Sequence, residues 1–292
     1  MCQSLAIIGA RGFIGRRLVA RYSSNCRLVL FGREDGVLEN STVRRWSPSA
    51  PLKGCSAVIH LAADASTLST DYRGPNVDLP LEVLEASAKE DVRRFVFVSS
   101  IFVHGRASET PLTPSSPFAP EDGYARSKIE AERALTKRSC ELGIELVIVR
   151  PPLVYGLEAR NTFALLRKLV VKHVPLPLGR AKAKRSIIAV DNLVDCLLSV
   201  ATAEHAIACI LPADDADYSL QDLVRMMSAA SGKRALNLPF PKRVLRRALT
   251  LLGRRHIYDQ LFCSLCVDRA HWFAVPWSPK LATENAIAQE MS

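Results

Sequence analysis

Long apolar runs are missing from this chain of 292 residues. None approaches the roughly 18–20 residues that a membrane-crossing helix requires, so no span is expected. The opening "MCQSLAII" also lacks the basic-then-apolar layout of a secretory leader, and the expectation is a soluble, cytoplasmic protein. Aromatic residues are scarce at 7%. The excess of 39 Lys and Arg over 29 Asp and Glu, a formal charge of +10, calls for an anionic partner. The basic residues are spread out with few rings between them to stack bases, so a phosphorylated small molecule explains a basic cleft as well as nucleic acid does, and ordinary solvated faces are a third account of the excess. The eight cysteines (Cys2, Cys26, Cys55, Cys140, Cys196, Cys209, Cys263, Cys266) are scattered and read as reduced small hydrophobes. Cys263 and Cys266 form a C-x-x-C, yet no second pair and no neighbouring histidine completes a metal set, and none is expected. There is no repeat and no low-complexity tract. What the chain does have is 48% apolar residues, enough for a sizeable core.

The most informative stretch is "LAIIGARGFIGRRLV", Leu5–Val19. Gly9, Gly12 and Gly15 stand three apart between a buried-strand pattern and a helical one. Without Cβ atoms the backbone turns sharply and lets an anion approach, and the unpaired N–H groups of the following helix face it. Such a turn fits a dinucleotide diphosphate. Strand patterns recur at Leu5–Gly9, Arg27–Phe31, Ala57–Ala62, Arg94–Ser99 and Glu145–Arg150, alternating with helical patterns at Phe13–Tyr22, Leu79–Glu90 and Ala125–Leu142. That alternation predicts a doubly wound parallel α/β sheet. The pattern changes after "RPPLVYG", so residues 1–155 read mainly as the dinucleotide-binding part and 156–292 mainly as a smaller cap, with the chain free to cross between them. Ser108–Pro120 reads as a proline-rich surface loop.

Ser99 and Ser100 end the strand "RFVFVSS", on the side where open α/β sheets bind ligands. Tyr124 and Lys128 in "YARSK" are four apart, on one helix face. His60 and His104 read as packed residues and Asp191 as a helix cap.

The order of glycine turn, "HLAA" (His60–Ala63), "VSS" (Val98–Ser100), "YARSK" and "RPPLVYG" (Arg150–Gly156) resembles the extended short-chain dehydrogenase/reductase family, the sugar-nucleotide epimerases and reductases. "PLPLGRAKAKRSIIAVDNLVD" (Pro175–Asp195) is most similar to bacterial reductases of UDP-linked 4-keto-6-deoxy sugars. The resemblance implies a Rossmann-type domain with a C-terminal α/β substrate cap. It implies reduction of a C4 keto group, giving a product such as UDP-N-acetylquinovosamine for surface polysaccharide, with a UDP-hexose 4-epimerase as the alternative and a non-catalytic dinucleotide-binding protein behind both.

By the same resemblance Ser100, Tyr124 and Lys128 are the catalytic set. Tyr124 exchanges a proton with the sugar oxygen, Ser100 hydrogen-bonds that oxygen, and Lys128 favours the phenolate and meets the nicotinamide ribose. Ser100 is preferred over Ser99, which falls close to the nicotinamide. Gly9, Arg11, Gly12, Phe13, Ile14, Gly15, Arg33, Leu61, Ala62, Ala63, Ser99, Tyr124, Lys128, Pro151 and Val154 are implied to bind the cofactor. Ser100, Tyr124, Asn161, Leu178 and Arg185 are implied to bind a UDP-sugar, Arg185 at its diphosphate. Asn76 matches a family asparagine at a helix start. The second strand ends "LVLFGRED": glycine stands at position 32, followed by Arg33. Together with Arg11 this favours NADP(H), while Glu34 and Asp35 keep NAD(H) open. "VRRWSPSAPLKG" lacks the aspartate that often borders the adenine. A homodimer is left open by the family.

Overall fold

In the computed structural model, the described residues are 4–66, 69–159, 161–176, 178, 181–232, 244, 247, 250, 251, 258, 262–275 and 277–291. Strand β1 (Ser4–Ile8) alternates Leu5 and Ile7 with Ala6 and Ile8, and each pair enters a different core. A strand apolar on both faces belongs in the middle of a sheet covered by helices on both sides. Among the described residues eight strands form one sheet in the order β11-β7-β6-β5-β1-β2-β4-β3. Here β2 is Arg27–Gly32, β3 Gly36–Leu38, β4 Ser41–Arg45, β5 Ala57–His60, β6 Arg94–Val98, β7 Glu145–Val149 and β11 Cys209–Ile210. Every pairing is parallel except β3 with β4. The expected doubly wound sheet is therefore present, extended by a hairpin that the strand patterns did not disclose.

One face carries α1 (Phe13–Tyr22) and α5 (Val190–Thr202), with Leu18, Val19, Leu193 and Leu197 fully buried against β1, β6 and β7. The other carries α2 (Leu79–Lys89) and α3 (Gly123–Leu142) through Val83, Leu84, Ala131 and Leu135. Helix α5 and strand β11 lie late in the chain, yet α5 packs on this sheet and β11 extends it beside β7. Asp191 does not cap α5, whose N-cap is Ala189. It accepts two bonds of 2.7 Å from Arg17 and ties α5 to α1. The cap core gathers Tyr155, Phe163, Leu166, Leu178, Leu223, Met227 and Ile287. It is built on β8 (Leu153–Tyr155), α4 (Thr162–Val171), β10 (Ile187–Ala189), α6 (Leu220–Ser231) and the helix Thr283–Met291.

Candidate active site

The glycine turn is closed from below. Gly9 has φ +89°, and a Cβ there would stand 2.8 Å from Ala62 N, while one on Gly15 would stand 2.5 Å from Gly9 O. Only glycine lets α1 start this close to the strand ends. A cleft in two lobes runs over the turn. The first, about 600 Å³, is lined by Arg11, Gly32, Arg33, Glu34, Arg45, Trp46 and Ala62. The second, about 740 Å³, is lined by Phe13, Ile14, Gly15, Ser99, Ser100, Tyr72, Tyr124, Lys128, Pro151, Val154 and Asn161. Gly9, Gly12, Leu61 and Ala63 line both, so the lobes meet over the turn. The joined lobes are long enough to admit an extended dinucleotide.

Helix α3 starts sharply because Asp122 caps it, accepting from Ala125 N at 2.7 Å. That start places Tyr124 in the first turn, half-buried at the cleft, and Lys128 one turn deeper. Lys128 is 1% exposed, donates to Val98 O at 2.9 Å and lies 4.5 Å from the centre of the Phe97 ring. Burial pulls its pKa down to about 7, against the opposing pull of Glu132. Burial pushes the Tyr124 phenol up to about 12, countered by a hydrogen bond with Ser100. Burial thus favours the protonated phenol over the phenolate at this position. The Lys128 ammonium lies 6.0 Å from the tyrosine ring centre and is turned to a backbone carbonyl.

Ser100 Oγ accepts from Phe102 N at 3.2 Å, leaving its proton free to donate. Ser99 is different. Its hydroxyl donates to Glu132 Oε1 at 2.5 Å, away from the cleft. Asn161 caps α4 and donates to Val154 O at 2.6 Å. Asn76 accepts from Asp64 N and donates to Asp64 O and Ser127 Oγ, a clamp between the loop after β5 and α3.

Two expected substrate residues do not line the lobes. The Leu178 side chain packs within the cap core. Arg185 lines a smaller cavity together with Phe102, Pro152 and Leu153, which also border the second lobe, and donates to Arg106 O at 3.0 Å and Cys263 O at 2.9 Å. Conversely, Arg45 and Trp46 line the cofactor lobe without having been anticipated. Parallel pairing of Gly32 with Arg45 brings them there, and Trp46 is fixed by the Phe31 ring and Glu82.

Fold and cleft together define a Rossmann-type dinucleotide-binding protein. The chain belongs to the NAD dependent epimerase/dehydratase family, whose model matches residues 5–209. It is 31% identical to a UDP-glucose 4-epimerase of Vibrio cholerae, over 99% of this chain and 94% of that one. It is 26% identical to an N-acetyl-alpha-D-glucosaminyl-diphospho-ditrans,octacis-undecaprenol 4-epimerase of Escherichia coli O157:H7, over 82% and 77%. Among solved structures, UDP-N-acetylglucosamine 4-epimerase from Bacillus cereus superposes with a TM-score of 0.82 at 15% identity, covering 99% of this chain and 98% of that one. UDP-glucuronic acid 4-epimerase from Bacillus cereus, in complex with NAD, gives 0.78 at 18% over 98% and 96%. These two likenesses show the fold.

Proposed function

We propose that the protein reduces the C4 keto group of a UDP-linked 4-keto-6-deoxy hexose, N-acetylated or not, with NADPH. The observation that carries this reading is the meeting of Ser100, Tyr124 and Lys128 in the lobe that continues from the glycine turn. When bound, the nicotinamide supplies a hydride to the carbonyl carbon. Tyr124 holds the proton that the ketone oxygen must receive, and its neutral phenol is the donating form. Ser100 donates to the same oxygen and orients it. Lys128 meets the nicotinamide ribose and, as the phenolate forms, stabilises its charge.

The cofactor choice rests on the first lobe. Glycine at position 32 offers no carboxylate to ribose hydroxyls, and Arg11, Arg33 and Arg45 outnumber Glu34 around the cavity. Asp35 is occupied by the backbone N–H of Arg45 at 2.7 Å. A 2′-phosphate suits this surroundings better than a bare ribose does. An exchangeable NADPH in turn suits a reductase. A 4-epimerase is the second reading, favoured by the names of the relatives: the same residues would withdraw and return a hydride on a retained cofactor. Incubation with UDP-4-keto-6-deoxy-N-acetylglucosamine and each reduced cofactor separates them. A reductase consumes NADPH stoichiometrically, whereas interconversion of UDP-hexoses without cofactor consumption would replace the reductase by the epimerase.

A further inference from the structure

Beneath the cleft lies a buried polar cluster that the proposed chemistry does not use. Glu132 follows Lys128 by one turn of α3, on the same inward face, and is 2% exposed. Its Oε1 accepts from Ser99 Oγ at 2.5 Å and from Arg150 Nε at 3.0 Å, and its Oε2 accepts from Arg150 Nη2 at 2.6 Å. Arg150 is itself 5% exposed and immediately precedes Pro151 and Pro152 of the cleft wall. Its Nη1 donates to Pro114 O at 2.9 Å and to His104 Nε2 at 3.0 Å, which leaves the imidazole proton on Nδ1, donating to Pro117 O at 3.0 Å. One carboxylate therefore holds the end of β6, the wall after β7 and, through Arg150, the turn Ile101–His104 that follows Ser100 and the proline-rich loop below it.

We propose that Glu132 is a positioning residue for this site: it locks Ser99 and the Arg150 wall around the cleft and places a carboxylate one helical turn from Lys128 on the same buried face of α3. A carboxylate serving only to neutralise Arg150 would need neither Ser99 nor a place four residues from Lys128. Burial works against the charge of Lys128, which the Val98 carbonyl and the Phe97 ring support without supplying a counter-charge. From β5, His60 is fully buried, its pKa held at about 3, and it offers no carboxylate. From β6 come only the Val98 carbonyl and the Phe97 ring. From α3, Tyr124 is a neutral phenol. Arg150 adds a second cation on the far side of Glu132. Glu132 is the one carboxylate among the groups named around Lys128, and in a buried setting such a charge shifts a neighbour's titration by about a unit or more.

The inference rests on the proposed contact of the Lys128 ammonium with the nicotinamide ribose, so the test reads NADPH affinity against pH. The full chain and its variants are titrated by intrinsic fluorescence between about pH 6 and 9, on either side of Lys128. Each curve is divided by that of Lys128→Met, which removes the titration of the cofactor's own phosphate. For the wild type the ratio falls as Lys128 loses its proton. Glu132→Gln moves that fall to lower pH by about one unit. Arg150→Met leaves it in place or moves it higher, because Glu132 then has Lys128 as its cation. Opposite responses separate positioning from general damage, which would shift both variants the same way. Should either single variant fail to fold, the pair Glu132→Gln/Arg150→Met leaves no unpaired buried charge and must still show the lowered midpoint. An unshifted midpoint in Glu132→Gln or in the double variant, or parallel shifts in both single variants, overturns the role of Glu132 while leaving that of Lys128. A wild type that binds like Lys128→Met at every pH overturns the Lys128 contact first, and the role of Glu132 with it.

Discussion

Replacing Gly15 by alanine exchanges a hydrogen for a methyl group at the point where α1 leaves the glycine turn. The new Cβ would stand 2.5 Å from Gly9 O, 2.6 Å from Ala10 O and 2.8 Å from Ala10 C. All three are backbone atoms, so no side chain can swing aside. Reaching the 3.4 Å of ordinary contact from 2.5 Å requires 0.9 Å of separation between helix and turn. The helix resists such a move: Leu18 and Val19 are fully buried, and Arg17 and Arg21 are tied to Asp191 and Asp195 of α5. Overpacking of this kind costs about 1–3 kcal/mol. At roughly 2–4 °C per kcal/mol for a chain approaching this size, Tm should fall by about 2–12 °C. On the proposed cofactor reading the N–H groups at the start of α1 would meet the diphosphate, and misplacing two of them at about 0.5–1.5 kcal/mol each would weaken binding by roughly 5- to 150-fold. Thermal melting and a fluorescence titration with NADPH measure both quantities. A Gly15→Ala protein with unaltered Tm and unaltered NADPH affinity would refute the close-packing argument.

Tyr124→Phe should lower turnover by roughly 100-fold or more while NADPH affinity stays within about twofold, because only the proton donor is lost; near-normal rates would remove Tyr124 from the chemistry. Arg33→Asp should weaken NADPH more than NADH, and an unchanged ratio of the two affinities in a titration would show that Arg33 does not read the 2′-phosphate. Arg185→Ala should weaken UDP by roughly 10- to 150-fold if the guanidinium contributes about 1.5–3 kcal/mol to the diphosphate. A loss of Tm with UDP affinity unchanged in calorimetry would instead make Arg185 a brace for the Arg106 and Cys263 carbonyls. His60 has neither ring nitrogen hydrogen-bonded, and burial holds its pKa at about 3 against the ordinary 6.5. The unfolded chain therefore binds the extra proton below pH 6.5, and stability is lost as pH falls from there toward 3. His60→Leu should flatten that part of the stability curve in denaturant melts, and an unaltered acid slope would contradict the assignment.

The strands and helices around the glycine turn were legible in the sequence because their periods are clean. Phe13–Tyr22 was read to the residue, and β1, β2, β6 and β7 to within one at each end. The β3–β4 hairpin was not legible. Its two-residue turn is Glu39 and Asn40, at φ 48° and 60°, in place of the Asn-Gly that announces such turns, and β4 has a single buried residue, Val43. Arg45 and Trp46 were hidden for the same reason, since only the hairpin returns them to the end of β2. Tyr124, Lys128 and the cleft-lining glycines could be picked out from spacing, with Ser100 chosen over Ser99 by resemblance. The side chains then explain the difference between the two serines: Ser99 is turned inward by Glu132, 33 residues away. No local pattern reports a partner at that distance. Leu178 shows the converse limit, a residue matched by its neighbours in sequence whose side chain packs into the cap.

The most direct measurement is stoichiometry. Purified protein is mixed with UDP-4-keto-6-deoxy-N-acetylglucosamine and NADPH, the absorbance of the reduced nicotinamide is followed to completion, and the product is resolved by NMR. The expected result is one NADPH consumed for each 4-hydroxy sugar nucleotide formed with a single C4 configuration, and no consumption with Tyr124→Phe. Turnover of a UDP-hexose to its C4 epimer with no net loss of NADPH, or NADPH loss undiminished in Tyr124→Phe, would contradict a tyrosine-driven reductase.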